Sequence, residues 1–309
     1  MSQYLRSRLV MNLVFKPVTT PFVHVGMGAR LEQGLLEVLK VGVVGGGTAY
    51  VIPSHSIKGV LRRISEHVAK ASATSKELEH ALIRAHCEVE NESIRHVCSS
   101  DDDIRIIKDY VDSVLKNRAF ARKFIPEDSI DEVSSRFKEG GIREVAEAEP
   151  IVTIECPICR LYGGNGLGGK VYIRDIVVKN GRVAVISRTS IERATGKVRE
   201  GALFSVEALV IPKFELTIVV DDLEPKTTEA YIIAGTLEWL TCIGLGIGGM
   251  RSSGIGHYLL DPKESRGYII DYGNISNKEF IKALANPVDY VKEHGVSVED
   301  LIEKLRGCG

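Results

Sequence analysis

Apolar residues alternate with other positions at Leu9, Met11, Leu13 and Phe15, the period-two pattern of a strand, and the alternation ends in the run KPVTTP at 16–21. Residues 35–53, LLEVLKVGVVGGGTAYVIP, place two apolar runs around Gly45, Gly46 and Gly47 and predict a hairpin. Ile57, Val60, Leu61, Ile64 and Val68 then recur at helical spacing behind Ser54 and Ser56, residues of the helix-capping type. Lys58, Arg62 and Arg63 make the opposite face of that helix basic. From about Thr74 to Phe137 the chain is charged, glycine-free and helically periodic, with TSKE at 74–77 matching a capping box and an amphipathic run at 100–115.

Strand patterns return after CPICRLYGGNGLGG. Residues 170–178 and 182–187, joined through Asn180-Gly181, predict a hairpin, and the polar stretch that follows has no clean period. Phe214, Leu216, Ile218 and Val220 alternate as a strand, and Ile233, Leu237 and Leu240 recur as a helix on whose apolar face Cys242 reads as core. A last strand covers IGHYLLD, and two helices behind Ser276 and Ser297 close the chain.

Without its insertions the order is strand, helix, strand, strand, helix, strand. That order predicts an α+β fold, a ferredoxin-like or RRM-like four-stranded antiparallel sheet with two helices. Residues 1–73 and 161–262 would form this core, 74–160 a helical insertion, and 263–309 a C-terminal helical extension.

Composition narrows the classes. Hydrophobic residues at 44% and charged ones at 26% describe a globular chain, and 40 Lys+Arg against 41 Asp+Glu exclude a global basic field, so any nucleic-acid site must be a local patch. The first residues carry no apolar signal core and no run is long enough to span a bilayer, which predicts a cytoplasmic protein without a membrane partner. Six cysteines in 309 residues are too few for a disulfide scaffold.

The segment GIGGMRSSGIG, Gly246–Gly256, has five glycines, two serines and an arginine between the second helix and the last strand. Its place inside a folded domain excludes a linker. A tight helix-to-strand turn is one reading. The other is an oxyanion site, since bare amides, hydroxyls and a guanidinium fork suit phosphate oxygens, and PSHSIKG supplies serines and Lys58 at a helix start.

VHVGMG, YVIPSHSIKGVLRR, RTSIERATGKVREGALFSVEAL and GLGIGGMRSSGIGHY, taken in order and spacing, resemble the RAMP superfamily, specifically the repeated backbone subunits of type III CRISPR effector complexes. The resemblance implies a subunit that stacks with other RAMP subunits along a guide crRNA and acts on target RNA in antiviral defence. By the same resemblance Ser54, Ser56, Lys58 and Arg62 would contact guide phosphates, with Arg251, Ser252 and Ser253 on the same strand and His24 beside it. A thumb hairpin at 187–204 would carry Arg188, Arg193, Lys197 and Arg199, with Ile191 or Phe204 as an apolar wedge; the alternative there is a solvated loop. Such phosphate contacts hold RNA without reading its sequence.

Members that cut target RNA use an aspartate between the first glycine turn and the helix-start motif. Residues 27–50 contain Glu32 and Glu37 but no aspartate, which points to a subunit with no catalytic residue. The alternatives are a metal-dependent endoribonuclease using one of those glutamates and a ferredoxin-like ligand-binding domain outside CRISPR. Finally, the pair Cys156 and Cys159 has zinc-knuckle spacing. Cys98 and His96, or else Cys87 or His86, would complete a structural tetrahedral site, the alternative being ordinary thiols and imidazoles.

Overall fold

A computed structural model describes residues 6–26, 35–42, 47–72, 109, 111–122, 125–139, 153–154, 156–164, 167–178, 181–273 and 277–307. In chain order its strands are β1 (Ser7–Pro17), β2 (Phe22–Val23), β3 (Leu35–Leu36), β4 (Lys40–Gly42), β5 (Thr48–Ile52), β6 (Val171–Ile173), β7 (Ile176–Val178), β8 (Arg182–Ile191), β9 (Val198–Val210), β10 (Phe214–Asp221), β11 (Leu245–Gly246), β12 (His257–Leu260) and β13 (Arg266–Asp271). Its helices are α1 (Ser54–Ser72), α2 (Arg118–Ala121), α3 (Glu127–Glu139), α4 (Pro157–Tyr162), α5 (Thr228–Cys242), α6 (Asn277–Ala285), α7 (Pro287–His294) and α8 (Val298–Arg306). The fold is α+β with mainly antiparallel sheets. Two compact units divide it: Met1–Ile64 with Tyr172–Lys226 and Ile233–Gly309, and Ser65–Val171 with Thr227–Ile232.

β1 is the centre of the first unit. It pairs antiparallel with β10 from Arg8↔Asp221 to Phe15↔Phe214. Its other edge is shared by β12, from Phe15↔Leu260 to Pro17↔Tyr258, and β13, from Ser7↔Asp271 to Asn12↔Arg266. β12 and β13 are thus two halves of one partner, interrupted at residues 261–265. The Asp261 N–H donates to the Val14 carbonyl at 2.8 Å, and the Ser265 hydroxyl accepts the Val14 N–H at 2.9 Å, so the interruption leaves neither backbone group of Val14 unpaired. The sheet runs β11-β12-β1-β10-β6.

The alternating set Leu9, Met11, Leu13 and Phe15 is buried as its period predicts, but so are Val10 and Val14. Both faces of β1 are covered because Val10 and Ile270 form a core cluster with Ala283 of α6 and Tyr290 and Val291 of α7. On the other set of positions, Phe15 stacks on Phe214 at 5.1 Å and Tyr258 meets Phe214 edge-on at 5.0 Å. The Tyr258 hydroxyl donates to the Ile211 carbonyl at 2.8 Å, satisfying the one polar group this aromatic trio buries.

Two further sheets complete the first unit. β9 carries β8 along one edge, with β2 antiparallel and β3 parallel to it as well. β5 lies between β4 and β7. The hairpin expected from 170–178 and 182–187 is therefore absent among the described residues: β7 pairs with β5, and β8 with β9. The reason is length, since the 13-residue β9 offers Val183–Ile186 a longer ladder than the three-residue β7.

The C-terminal region also departs from expectation. It begins with a strand, β13, and then holds three helices, because Asn286 accepts the Asp289 N–H and Pro287 has no N–H with which to continue α6. Ser297 caps α8 through the Asp300 N–H as expected, whereas Ser276 lies outside the described residues. Cys242 is exposed, not core. It ends α5 two residues beyond buried Leu240, which turns it about 200° away from that face.

In the second unit Asn117 caps α2, and Arg160 of α4 pairs with Glu229 at 2.6 Å. Ser65 and Tyr162 share a buried hydroxyl–hydroxyl bond of 2.8 Å. The capping box at 74–77 lies outside the described residues. Among the described residues no helix is long and apolar enough to cross a membrane.

Candidate nucleic-acid interface

The glycine loop is a built object. β11 and β12 pair at its mouth, Leu245↔Tyr258 and Gly246↔His257, and Ile247 and Ile255 are buried. Gly248 has φ +74°, and a Cβ there would stand 2.2 Å from the His24 carbonyl oxygen. Gly256 has φ +79°, and its Cβ would stand 2.0 Å from the Ile247 carbonyl oxygen. Glycine is required at both because L side chains disfavour the dihedral and the neighbouring backbone fills the space.

Between them Met250 adopts the left-handed conformation and starts the one-turn 3-10 helix Arg251–Ser253. Ser253 and Gly254 donate back into the turn, and the His257 ring donates from Nε2 to the Arg251 carbonyl at 2.8 Å. The N–H groups of Met250, Arg251 and Ser252 have no acceptor among the described residues. Arg251, Ser252 and Ser253 are all exposed. A left-handed residue followed by right-handed ones points successive amides to one side, the nest geometry that receives anions.

His24 sits under this loop, 8% exposed. Its Nδ1 is 2.7 Å from the Glu207 carbonyl, which can only accept, so Nδ1 carries the proton. The His24 carbonyl accepts the Gly249 N–H at 2.9 Å. Glu207 in turn accepts the Val38 N–H through Oε2 at 3.1 Å and stands 3.7 Å from Lys40 Nζ. Nothing local in the sequence marks Glu207 as the partner of a histidine 183 positions away.

At the start of α1 the cap differs from expectation. The Pro53 carbonyl accepts the N–H groups of Ser56 and Ile57, and the Asp175 carboxylate accepts the Ser54 N–H at 2.6 Å. The backbone N–H and then the hydroxyl of Ser54, with His55 adding a smaller pull, hold the Asp175 carboxyl below its usual range. Neither Ser54 nor Ser56 is the cap because Asp175, on the turn between β6 and β7, fills the role from a distance no local pattern reveals. Lys58 is half-buried, and its ammonium is pushed down by burial and then by the Arg62 charge. A cation so placed gains from an incoming anion.

The 187–204 segment forms the outer part of the β8–β9 hairpin, with Arg188↔Phe204 and Ile191↔Val198 in register and a bulge between them. Its end, Glu192–Lys197, is closed by the Glu192 N–H to the Lys197 carbonyl at 2.9 Å and by Thr195 Oγ1 to Glu192 Oε2 at 2.7 Å. Ile191 and Val198 are 63% and 61% exposed, flanked by exposed Arg193, Lys197 and Arg199. Arg188 buries its Nε with no hydrogen-bond partner among the described residues.

Cys156 and Cys159 are fully buried, as the N-cap and third residue of α4. His86, Cys87, His96 and Cys98 lie outside the described residues, as does Glu32, while Glu37 is exposed. Among the described residues no three metal-ligand side chains gather.

The exposed turn, its guanidinium and the basic helix start are groups suited to phosphate oxygens, carried on an α+β fold. A family model of the RAMP superfamily matches residues 17–258, and the chain belongs to that superfamily. It is therefore a CRISPR-associated RNA-binding protein. No curated protein matches the chain.

Proposed function

We propose that this RAMP protein is a structural, non-catalytic backbone subunit of a type III CRISPR effector complex that holds guide crRNA by its phosphates. The observation that carries this is the glycine loop, which offers Arg251, two hydroxyls and three amides that have no acceptor among the described residues. The sheet order β12-β1-β10-β6 supports a ferredoxin-like core, with β12 as its fourth strand, β1 its first, β10 its third and β6 its second. Cover of the Val10–Ile270 face by α6 and α7 leaves no place there for stacked bases, which favours phosphate over base recognition. The hairpin tip, with Ile191 and Val198 among arginines and lysines, suits the thumb that parts guide from target RNA, and neighbouring subunits would be further copies or other RAMP proteins.

Binding of a fluorescent 24-nucleotide RNA of arbitrary sequence tests the reading, a probe longer than the roughly 4–16 nucleotides that one single-strand-binding fold covers. Affinity should fall steeply with salt, and Arg251→Ala and Lys58→Ala should each weaken binding about tenfold and each lower the salt slope by roughly 0.7. Binding that is insensitive to salt and to both substitutions refutes it.

A structural zinc held by Cys156, Cys159, Cys98 and His96 belongs to the same proposal. The first two fit the group: both thiols are buried at the first turn of one helix, where they can be presented together. Elemental analysis should find about one zinc per chain, lost in Cys156→Ser together with the helical signal of the insertion. Full folding with no bound metal overturns it.

A further inference from the structure

We infer that His24 is a positioning residue that acts on RNA through the glycine loop, by fastening Arg251 to the base of the β8–β9 hairpin, and not by touching RNA itself. The inference rests on the reading of that loop as a phosphate site. His24 is buried, which leaves little of its ring to meet a ligand. Both ends of it are engaged on structural partners: Nδ1–H donates to the main chain of β9 at Glu207, and its carbonyl takes the Gly249 amide just before the nest. The ring is wedged between glycines, with Nε2 3.1 Å from a Cβ at Gly26 and Cδ2 3.5 Å from one at Gly249. Two residues before His24, the Phe22 carbonyl accepts the Gly256 N–H at 2.8 Å, so the segment 22–24 clasps the loop at both its arms.

The same Glu207 ties down residues 38–40 through its carboxylate. Residue 207 is therefore the point at which the hairpin, the strand segment that follows β3, and the loop are bound into one body. Loss of the Nδ1–H bond would take a donor from the part-buried Glu207 carbonyl and loosen the hold on the turn that carries Arg251.

The test is a double-mutant cycle on the full-length protein with the fluorescent 24-nucleotide RNA. His24→Phe keeps the ring volume and removes the donor, and His24→Asn restores a nitrogen near the Nδ1 position. His24→Phe should weaken binding about tenfold, His24→Asn by about twofold or less, and His24→Phe combined with Arg251→Ala by no more than about twofold beyond Arg251→Ala alone. Independent contributions, about a hundredfold together, would show that His24 does not act through Arg251 and overturn the inference.

A second measurement needs no RNA. Amide hydrogen exchange at Gly249 should speed up about tenfold in His24→Phe and stay near wild type in His24→Asn. Unchanged protection at Gly249 in a folded His24→Phe protein overturns the inference even where RNA binding is lost. A wild-type protein that fails to bind RNA refutes the phosphate reading, and the exchange result then still decides whether His24 fastens the loop.

Discussion

Gly256→Ala should destabilise the first unit by about 3 kcal/mol or more and abolish RNA binding, whereas Gly254→Ala, two residues away, should cost only about 1 kcal/mol. The two glycines have nearly the same dihedral, φ +79° and φ +82°, so the left-handed penalty is common to both. They differ in surroundings. A Cβ at Gly254 meets nothing within 4 Å, and one at Gly256 would be 2.0 Å from the Ile247 carbonyl oxygen, which is backbone and cannot rotate aside. Relief requires parting the Ile247 N–H from the Gly256 carbonyl or the Gly256 N–H from the Phe22 carbonyl, each 2.8 Å now. Either movement opens the pair of buried isoleucines that anchors the loop. Urea unfolding of the two variants, with RNA titration of each, measures the contrast. Equal costs at the two positions would mean that the loop yields as a whole and is not the rigid frame the phosphate site needs.

What the sequence reveals of this fold is what is local. The periods of β1, β10, α1 and α5 are legible because each element's own side chains record which face is buried. The partners of β9 are not, since β2, β3 and β8 converge on it from separate parts of the chain and pairing leaves no mark on composition. β13 hides for a similar reason: GYII is a short apolar run behind the interruption at 261–265, and it becomes a strand only because the edge of β1 beyond β12 is vacant. At the site, excess glycine signals a special loop, but the purpose of Gly248 and Gly256 is set by carbonyls elsewhere in the chain, of His24, Ile247 and Phe22. The Asp175 cap on α1 and the Glu207 partner of His24 are likewise invisible, being single bonds across 121 and 183 positions. Residue chemistry shows what could bind phosphate; tertiary bonds decide where those groups are held.

The second large effect concerns Arg160. Its Nε is 2.6 Å from Glu229, its Nη1 2.9 Å from the Ile154 carbonyl, and its guanidinium lies 5.9 Å from the centre of the Phe120 ring. The paired side chains are 15% and 11% exposed, so neither can turn to water. Burial by itself pushes the Glu229 carboxyl up, but the hydrogen bond and charge of Arg160 outweigh it, and the net position is below the ordinary 4.5. A folded-state value below the unfolded one means that the pair's stabilisation is present above about pH 4.5 and is lost as pH falls through the folded value. Arg160→Leu removes the compensating charge and should destabilise the second unit by about 3–5 kcal/mol at neutral pH. It also reverses the sign of the linkage. Burial, the largest influence on Glu229, is then opposed only by a backbone hydrogen bond and the Lys170 charge, so the carboxyl should titrate above its unfolded value and the variant should regain stability as pH falls from about 7 towards 5, where the wild type gains nothing. The double variant Arg160→Leu with Glu229→Leu leaves no unpaired charge and should recover much of the loss. Denaturant unfolding of the three proteins across that pH range, followed by circular dichroism, is the measurement. A single variant whose stability keeps the wild-type slope would show that water or another cation reaches Glu229, and that Arg160 is not what holds this carboxylate in the interior.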